Sequence, residues 1–434
     1  MTTIPHLTST LQTLFGPTAD AEAKKACFVR RQSKLTGSKF TQTVVFGYLE
    51  DDQVTLADLT STALALGVDI TPQGLDQRFT ESASALLKGV LDQAVQEVIA
   101  SDPVAIPLLE RFSAVCIVDS STIALPEALA TVWAGCGNQT DQADAALKIH
   151  LRLDMRTGAL TGPAITSGRT HDRCSTVAVA PLPCGALRLA DLGFFSLAAM
   201  QGMTQQGGYW LSRLQANTAV FDSTGQRWVL SRLLSQQGET ADMTVTVGVQ
   251  ERVPCRLIAQ RVPDEVADQR RRRMRDEAQR RGQPVSEERL RLAGWTFYIT
   301  NVPSSLLSVA EAMVLGRVRW QIELLIKLWK SHGQIDESRS AKPWHILCDV
   351  YAKLLAMLVQ HWLLLVSVWH HVDRSLTKAA KMLQKHVRDL ETHFASESGL
   401  ADAMTTLVHC LSKGCRMNKS KKDPRSFQLL QGLA

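Results

Sequence analysis

The sequence predicts an α/β fold: a mixed sheet, interrupted by a β-rich insertion, with helical regions before and after it. Three observations carry this prediction: short apolar runs that end in an acid, segments in which apolar and polar residues alternate, and a strongly amphipathic helix late in the chain. With 434 residues, 45% of them hydrophobic and 21% charged, the chain has the composition of a folded protein with a large core and two or three domains.

The N-terminal region, residues 1–105, is predicted to be helical. Its short helices between Thr55 and Phe79 are joined by turns, a pattern compatible with a helix-turn-helix that binds DNA. A small helical bundle without a DNA role fits the same pattern, so the residues alone leave both interpretations open.

The first part of the sheet is predicted within residues 106–217. A short apolar run at 114–118 leads into Asp119, and another short strand, which begins at residue 187, leads into Asp191. Further strands are expected at residues 147–154, 160–166 and 208–214. Side chains at the ends of such strands often form the binding sites of α/β sheets, so both acids are candidate site residues.

A β-rich insertion is predicted at residues 218–295, with its clearest strands at 243–249 and 256–262. It contains the basic run 270–275, which is either the solvated face of a helix or an arm that contacts phosphates. Residues 296–345 complete the sheet and carry the amphipathic helix. Residues 346–434 are predicted to be a helical C-terminal region with a basic tail.

Charge and cysteine usage narrow the class of protein. The net charge of +6 permits a polyanionic partner without requiring one. None of the nine cysteines has CxxC spacing, which argues against a structural zinc site, and their scatter favours reduced thiols in a cytoplasmic protein. The apolar segment 354–369 is short for a membrane span and contains Gln360 and His361, so we expect a buried core helix.

The amphipathic helix is the most informative segment of the chain. With Arg319 at zero, Glu323, Lys327 and Lys330 fall at roughly 40°, 80° and 20° on one narrow stripe. The rest of the circumference is apolar and expected to be buried; it comprises Trp320, Ile322, Leu324, Leu325, Ile326, Leu328 and Trp329. Such a stripe is often only an exposed Glu–Lys pair that supports the helix. A carboxylate among cations also suits a site for a metal ion and phosphates.

Asp119, Asp191 and Glu323 together match the needs of hard divalent cations. Mg²⁺ prefers oxygen ligands and keeps positions open for water and phosphate. Two such ions activate a nucleophile and stabilise the leaving oxygen of a phosphoryl displacement. Each acid alone is equally explained as a strand-end or capping residue. The three in this order, with cations on the third element, predict a catalytic metal site.

At these residues the chain resembles a known family, the bacterial insertion-sequence transposases of the DDE class that carry a Y-(2)-R-(3)-E-(6)-K signature. Arg319, Glu323 and Lys330 match the R-(3)-E-(6)-K spacing, and Asp119 and Asp191 match the first two acids of the family. The long gap between the second and third acids is typical of members with a β-strand insertion inside a ribonuclease-H-like core. The resemblance therefore implies a ribonuclease-H-like mixed sheet and a DNA-binding N-terminal region.

The resemblance also implies an activity and its partners. Such enzymes cleave DNA at the terminal inverted repeats of a mobile element and join the freed 3′ ends to target DNA. Asp119, Asp191 and Glu323 would bind two Mg²⁺ ions, for which Mn²⁺ can substitute. Because two DNA ends are brought together in this reaction, a homodimer on DNA is expected.

Other residues would contact DNA in such an enzyme. Arg319 and Lys330 would hold phosphates near the cut, and Lys327, on the same stripe, is a further candidate. Family members that pass through a DNA hairpin stack a flipped base on a tryptophan in the insertion, and Trp295 stands about where that residue occurs. The alternative is that Trp295 is a core residue of its strand.

Two departures from the family pattern leave other functions open. Gly316 stands where the signature has its tyrosine, and Leu192 stands where members often have arginine. We expect Gly316→Tyr to alter the handling of DNA ends without disturbing the metal site. The alternatives are a DNA-binding relative whose catalysis is impaired and an unrelated carboxylate-dependent hydrolase.

Overall fold

A computed structural model describes residues 2–31, 33–136, 144–215, 217–420 and 424–432. Contacts along the chain divide it into two units. The first contains residues 1–105, 120–170 and 322–421, and the second contains residues 106–119, 171–321 and 422–434. Residues 421–423 and 433–434 of the predicted basic tail lie outside the described residues.

Strands alternate with helices through the middle of the chain, as the sequence predicts. The strands are β1 Val115–Leu125, β2 Ala145–Asp154, β3 Leu160–Ser167, β4 Leu187–Ala190, β5 Tyr209–Ser212, β6 Val220–Phe221, β7 Arg227–Trp228, β8 Thr240–Val247, β9 Val253–Arg261 and β10 Trp295–Thr300. Short 3₁₀ helices lie at Glu127–Leu129, Asp172–Cys174 and Leu192–Phe194.

Helices make up most of both ends of the chain. Those before β2 are α1 Ile4–Thr13, α2 Ala19–Lys25, α3 Gly37–Glu50, α4 Leu56–Ala65, α5 Pro72–Asp76, α6 Glu81–Ala94 and α7 Pro107–Glu110, with a π-helical turn at Leu14–Thr18. Those that follow are α8 Thr176–Val179, α9 Leu197–Gln205, α10 Leu230–Ser235, α11 Asp264–Arg280, α12 Glu287–Leu292, α13 Val309–Val318, α14 Trp320–Ser331, α15 Pro343–Leu365, α16 Leu376–Gln384, α17 Val387–His393, α18 Glu397–Gly414 and α19 Ser426–Gln431.

The second unit is built on a mixed sheet. Its strands lie in the order β1-β4-β5-β10-β9-β8-β6-β7, and only the first five residues of β1 belong to this unit. β1, β4 and β5 are parallel, whereas β10 runs antiparallel to both β5 and β9. Strands β8 and β9 of the insertion thus continue the sheet beyond β10. A fully apolar run such as 115–118 suits a parallel strand that is buried on both faces.

The first unit packs helices α3 and α6 against α15 and also contains the antiparallel hairpin β2–β3. Helix α15 is long and apolar enough to cross a membrane by length and composition, but 94% of its most apolar window is buried inside the protein. His361 at its centre is 1% exposed and its Nε2 lies 2.8 Å from the carbonyl oxygen of Gly158. The expectation of a buried core helix is therefore confirmed.

Two local expectations need correction, and one alternative is decided. The basic run of the insertion lies on the 17-residue helix α11, as the first of its two interpretations has it. Strand β1 does not end before Asp119 but continues to Leu125. On helix α14, Trp320 and Leu324 are 53% and 40% exposed, so the buried face is narrower than expected. Its buried residues are Ile322, Leu325, Ile326, Leu328 and Trp329.

Candidate active site

Asp119 and Asp191 lie side by side on neighbouring parallel strands. Val118 of β1 is paired with Ala190 of β4, and each acid directly follows its paired residue. The backbone of Asp191 is extended, with φ −79° and ψ 170°, so the strand geometry continues through it. Because neighbouring strands are about 4.8 Å apart and residues in register point to the same face, the two carboxylates share one face of the sheet.

The same register extends this row of side chains across two more strands. Ala190 pairs with Ser212 of β5, and Ser212 pairs with Ile299 of β10, so Arg213 and Tyr298 continue the row. Arg213 and Tyr298 also line one small cavity, together with Leu189, Ala190, Leu211, Gly316 and Arg319. The second unit therefore presents two acids, an arginine and a tyrosine on one sheet face.

Helix α13 lies against this part of the sheet and ends at Arg319. Its first turn is fixed by a capping box between Ser308 and Glu311, and Glu311 forms a 2.8 Å ion pair with Arg111. Arg111 in turn donates a hydrogen bond of 3.0 Å to the carbonyl oxygen of Leu306. Burial alone would raise the pKa of Glu311, but the Arg111 guanidinium and the Ser308 hydrogen bonds together outweigh it, so the pKa is lowered. These contacts fix the start of helix α13 and, because the helix is rigid, the position of Arg319 directly after its last residue.

Gly316, one turn before Arg319, lies against the ring of Tyr298. A Cβ at position 316 would overlap the hydroxyl oxygen and Cζ of Tyr298, and it would lie 2.9 Å from Cε1. Gly316→Tyr would therefore have to displace the Tyr298 ring. That this substitution alters the handling of DNA ends without disturbing the metal site stays a prediction. The space next to the Cα of Gly316 is filled from strand β10.

Glu323, Lys327 and Lys330 lie on helix α14 in the first unit. Glu323 is partly exposed and Lys327 is exposed, whereas Lys330 is held by two contacts. The Lys330 ammonium donates a hydrogen bond of 3.1 Å to the carbonyl oxygen of Thr122 and forms a 3.1 Å ion pair with Asp336. A phosphate at Lys330 would have to compete with Asp336.

A buried polar cluster anchors the chain just after helix α14. Lys353 donates hydrogen bonds of 3.1 Å and 2.7 Å to the carbonyl oxygens of Gln334 and Glu337. The Tyr48 hydroxyl donates a hydrogen bond to Asp349, and burial, followed by the charge of Asp349, raises the pKa of Tyr48 well above its usual range. A cavity of about 380 Å³ lies beside this cluster. Because its lysine and tyrosine are buried and engaged, the cluster suits a structural role in holding α14.

Trp295 lies at the start of β10, on the face opposite to Tyr298 because strand side chains alternate. Its indole is partly exposed and packs against the apolar cluster of the insertion, which includes Ile299 and Leu257. Arg270 of the basic helix donates a 3.0 Å hydrogen bond to the carbonyl oxygen of Trp295. Part of the basic run is thus structural, while Arg272, Arg273 and Arg275 are exposed.

The pair Asp119 and Asp191 fits a divalent cation by its donor chemistry. Both are carboxylates, the ligands that Mg²⁺ and Mn²⁺ prefer, on rigid neighbouring strands. Within the described parts of the chain, the Asp191 carboxylate has no hydrogen-bond or ion-pair partner of its own. No group of three His, Cys, Asp or Glu side chains that would hold a metal ion was found among these residues. A third ligand is therefore a matter of proposal.

Arg213 and Tyr298 are the candidate residues that sequence reasoning missed. Neither stands in a motif, and each becomes notable only through its neighbour on the next strand. A cation close after β5 could have been noted as a strand-end residue, like the two acids. Tyr298 gives no such signal, because it lies inside a strand whose pattern predicts only packing.

Comparison with known proteins gives a consistent result over most of the chain. The family described as "Transposase DDE domain" matches residues 110–359. The transposase for insertion sequence element IS231F of Bacillus thuringiensis subsp. israelensis is 26% identical over 437 aligned positions, which cover 94% of this chain and 91% of that protein. The transposase for IS1151 of Clostridium perfringens is 22% identical, and the alignment covers 80% of this chain and 77% of that protein. Putative transposase InsL for IS186A of Escherichia coli strain K12 is 30% identical, and the alignment covers 49% of this chain and 59% of that protein.

Proposed function

The chain belongs to the family of transposases with a DDE domain, and we propose that it cleaves DNA at the ends of an insertion sequence and joins the 3′ ends to target DNA. The observation that carries this proposal is the in-register pair Asp119 and Asp191 on adjacent parallel strands, inside the segment that matches the family. A carboxylate pair of this kind suits metal-assisted phosphoryl transfer.

Asp119, Asp191 and Glu323 are the proposed ligands of two Mg²⁺ ions, with Mn²⁺ as a substitute. Bound there, such ions would activate the attacking water or 3′ hydroxyl and offset charge on the leaving oxygen. The strands fix the first two carboxylates, and the buried face of α14 fixes the rotation of Glu323 about its helix. Rigid placement matters because in-line attack tolerates little misalignment.

Arg319, Lys327 and Lys330 are proposed to hold DNA phosphates. Arg319 is suited to bidentate binding of phosphate oxygens, whereas the two lysines act as point charges. Lys327 is exposed and ready for such a contact. Lys330 would exchange its ion pair with Asp336 for a phosphate, which adds a cost to DNA binding at that position.

Trp295 is proposed as the residue on which a flipped base stacks. Since the indole already packs on the core of the insertion, only its exposed part is left for a base. The exposed arginines of helix α11 add positive charge to the same insertion. The proposed partners are the terminal inverted repeats, the target DNA and a second copy of the chain, so that each of two ends meets one active site.

Cleavage of a DNA fragment that carries the inverted repeats flanking the gene tests this proposal. We expect the full chain to cut the repeat ends in Mg²⁺ or Mn²⁺, and Glu323→Gln to lower the rate at least about 100-fold. Glu265→Gln is the matched control, because Glu265 is exposed on helix α11 and outside the proposed site. Equal cleavage by Glu323→Gln and the parent would refute the site assignment.

Two other outcomes would identify the alternatives. Binding to the ends without cleavage in either metal would indicate a DNA-binding relative whose catalysis is impaired. The glycine at 316 in place of the signature tyrosine motivates this alternative. If the chain is instead a carboxylate-dependent hydrolase of small molecules, we expect it to lack the DNA affinity that falls steeply as salt rises.

A further inference from the structure

Tyr298 packs against helix α13 at Gly316, the residue that stands where the family signature has its tyrosine. Its hydroxyl oxygen and Cζ fill the space where the first side-chain atom of residue 316 would stand. Only a glycine at 316 is compatible with this arrangement. Gly316 and Tyr298 are therefore a matched pair, in which the phenol comes from a strand and the helix makes room for it.

The Tyr298 hydroxyl has no hydrogen-bond partner among the residues that the structure describes. Tyr298 as a whole is only 7% exposed, but its hydroxyl oxygen is not among the buried polar atoms that lack a partner, so this oxygen can be reached from outside the fold. An accessible hydroxyl beside the proposed active site is available to donate a hydrogen bond to a ligand.

The cavity that Tyr298 lines is suited to an anion. Arg213 and Arg319 are two of its lining residues, and apart from Tyr298 the others are apolar or glycine. No carboxylate lines it among the described residues. Its volume of about 10 Å³ is room for a single water or a single ligand oxygen. A phosphodiester oxygen has the matching charge and size.

We propose that Tyr298 supplies, from strand β10, the hydroxyl that the family signature places on helix α13. This hydroxyl donates a hydrogen bond to a phosphate oxygen of the DNA end, which the neighbouring arginines attract to the same cavity. The proposal rests on the proposed function, since it names a DNA contact of that site. It also accounts for Gly316: the contact has moved to another element of the fold.

Removing only the hydroxyl tests this proposal. Tyr298→Phe keeps the ring that packs on Gly316, so the fold of the second unit should be unchanged. Hydrogen bonds to charged groups are strong enough that the affinity for end DNA should fall about 10- to 100-fold. Affinity is measured without divalent metal, and the same DNA is then used with single methylphosphonate substitutions around the cut site.

A neutral methylphosphonate removes the same contact from the side of the DNA. At one phosphate, the methylphosphonate should weaken DNA binding by the parent chain. It should weaken binding by Tyr298→Phe only slightly, because that variant already lacks the contact. If Tyr298→Phe binds the end as tightly as the parent, the proposal is overturned. An equal loss in both proteins at every phosphate would overturn it as well.

The outcomes separate this inference from the proposed function. If the parent chain binds the ends but does not cleave them in Mg²⁺ or Mn²⁺, the proposed function fails, while the affinity comparison still decides the role of Tyr298. If the parent cleaves and Tyr298→Phe binds and cleaves equally well, only the inference about Tyr298 fails.

Discussion

Replacing Gly316 by alanine tests the packing of helix α13 on strand β10 without any DNA. In a helix interior, alanine is normally more stable than glycine by about 0.5–1 kcal/mol. At this position, however, the new Cβ would overlap the hydroxyl and Cζ of Tyr298. Because Tyr298 is 7% exposed and part of a paired strand, its ring has little room to move away.

The expected magnitude follows from these two opposing effects. Overpacking of a close-packed contact costs about 1–3 kcal/mol. After subtraction of the gain in helix propensity, Gly316→Ala should lower the free energy of unfolding by about 0–2.5 kcal/mol. With Tyr298→Ala already present, the overlap is gone and the same substitution should stabilise the protein by about 0.5–1 kcal/mol. The coupling between the two positions is then about 1–3 kcal/mol.

Urea denaturation of the parent, the two single variants and the double variant measures this coupling. Gly202→Ala is the control, because Gly202 lies inside helix α9 and a Cβ there would meet no atom within 4 Å. It should stabilise the protein by the ordinary helix-propensity gain. If Gly316→Ala stabilises the parent as much as Gly202→Ala does, Tyr298 does not pack where the structure places it, and the argument for its role falls.

Three further predictions concern charge. Asp336→Asn should free the Lys330 ammonium and tighten binding of end DNA, and unchanged affinity in a filter-binding or anisotropy assay would contradict competition by Asp336. Lys327→Ala should lower the slope of log affinity against log salt by about 1, and an unchanged slope would exclude a phosphate contact. Burial, followed by the charge of Glu50, raises the pKa of Glu391 to about 7. The folded state thus holds this proton more tightly, and stability falls as pH rises from about 4.3 to about 7. Glu391→Gln should therefore be more stable than the parent by about 3 kcal/mol at pH 8 and equal to it below pH 4. If thermal unfolding gave parallel profiles of stability against pH for the two proteins, that result would be inconsistent with the burial of this carboxyl.

Much of the fold could be predicted from local pattern. The apolar run before Asp119 and the short strand before Asp191 predicted two buried strands, because such runs are typical of parallel strands. Their mutual register could not be predicted, since it depends on which strands become neighbours. That register places the two acids next to each other.

Other features depended on tertiary contacts that a single sequence does not reveal. The residues after Asp119 are polar, and yet β1 continues through them to Leu125. Trp320 and Leu324 are apolar but exposed, so the helical pattern alone overestimated the buried face of α14. The sequence shows that Gly316 replaces the signature tyrosine, but only the structure shows that Tyr298, 18 residues earlier, packs against this glycine.

The most direct test of the central claim is metal selectivity of Asp191→Cys in the cleavage of end DNA. A thiolate is a poor ligand for Mg²⁺ and a better one for softer ions such as Mn²⁺. If the Asp191 side chain binds the catalytic metal, the variant should be inactive in Mg²⁺ and regain measurable cleavage in Mn²⁺, while Asp276→Cys, on the exposed face of helix α11, behaves like the parent in both. Parent-like cleavage by Asp191→Cys in Mg²⁺ would contradict metal binding by this carboxylate and, with it, the proposed mechanism.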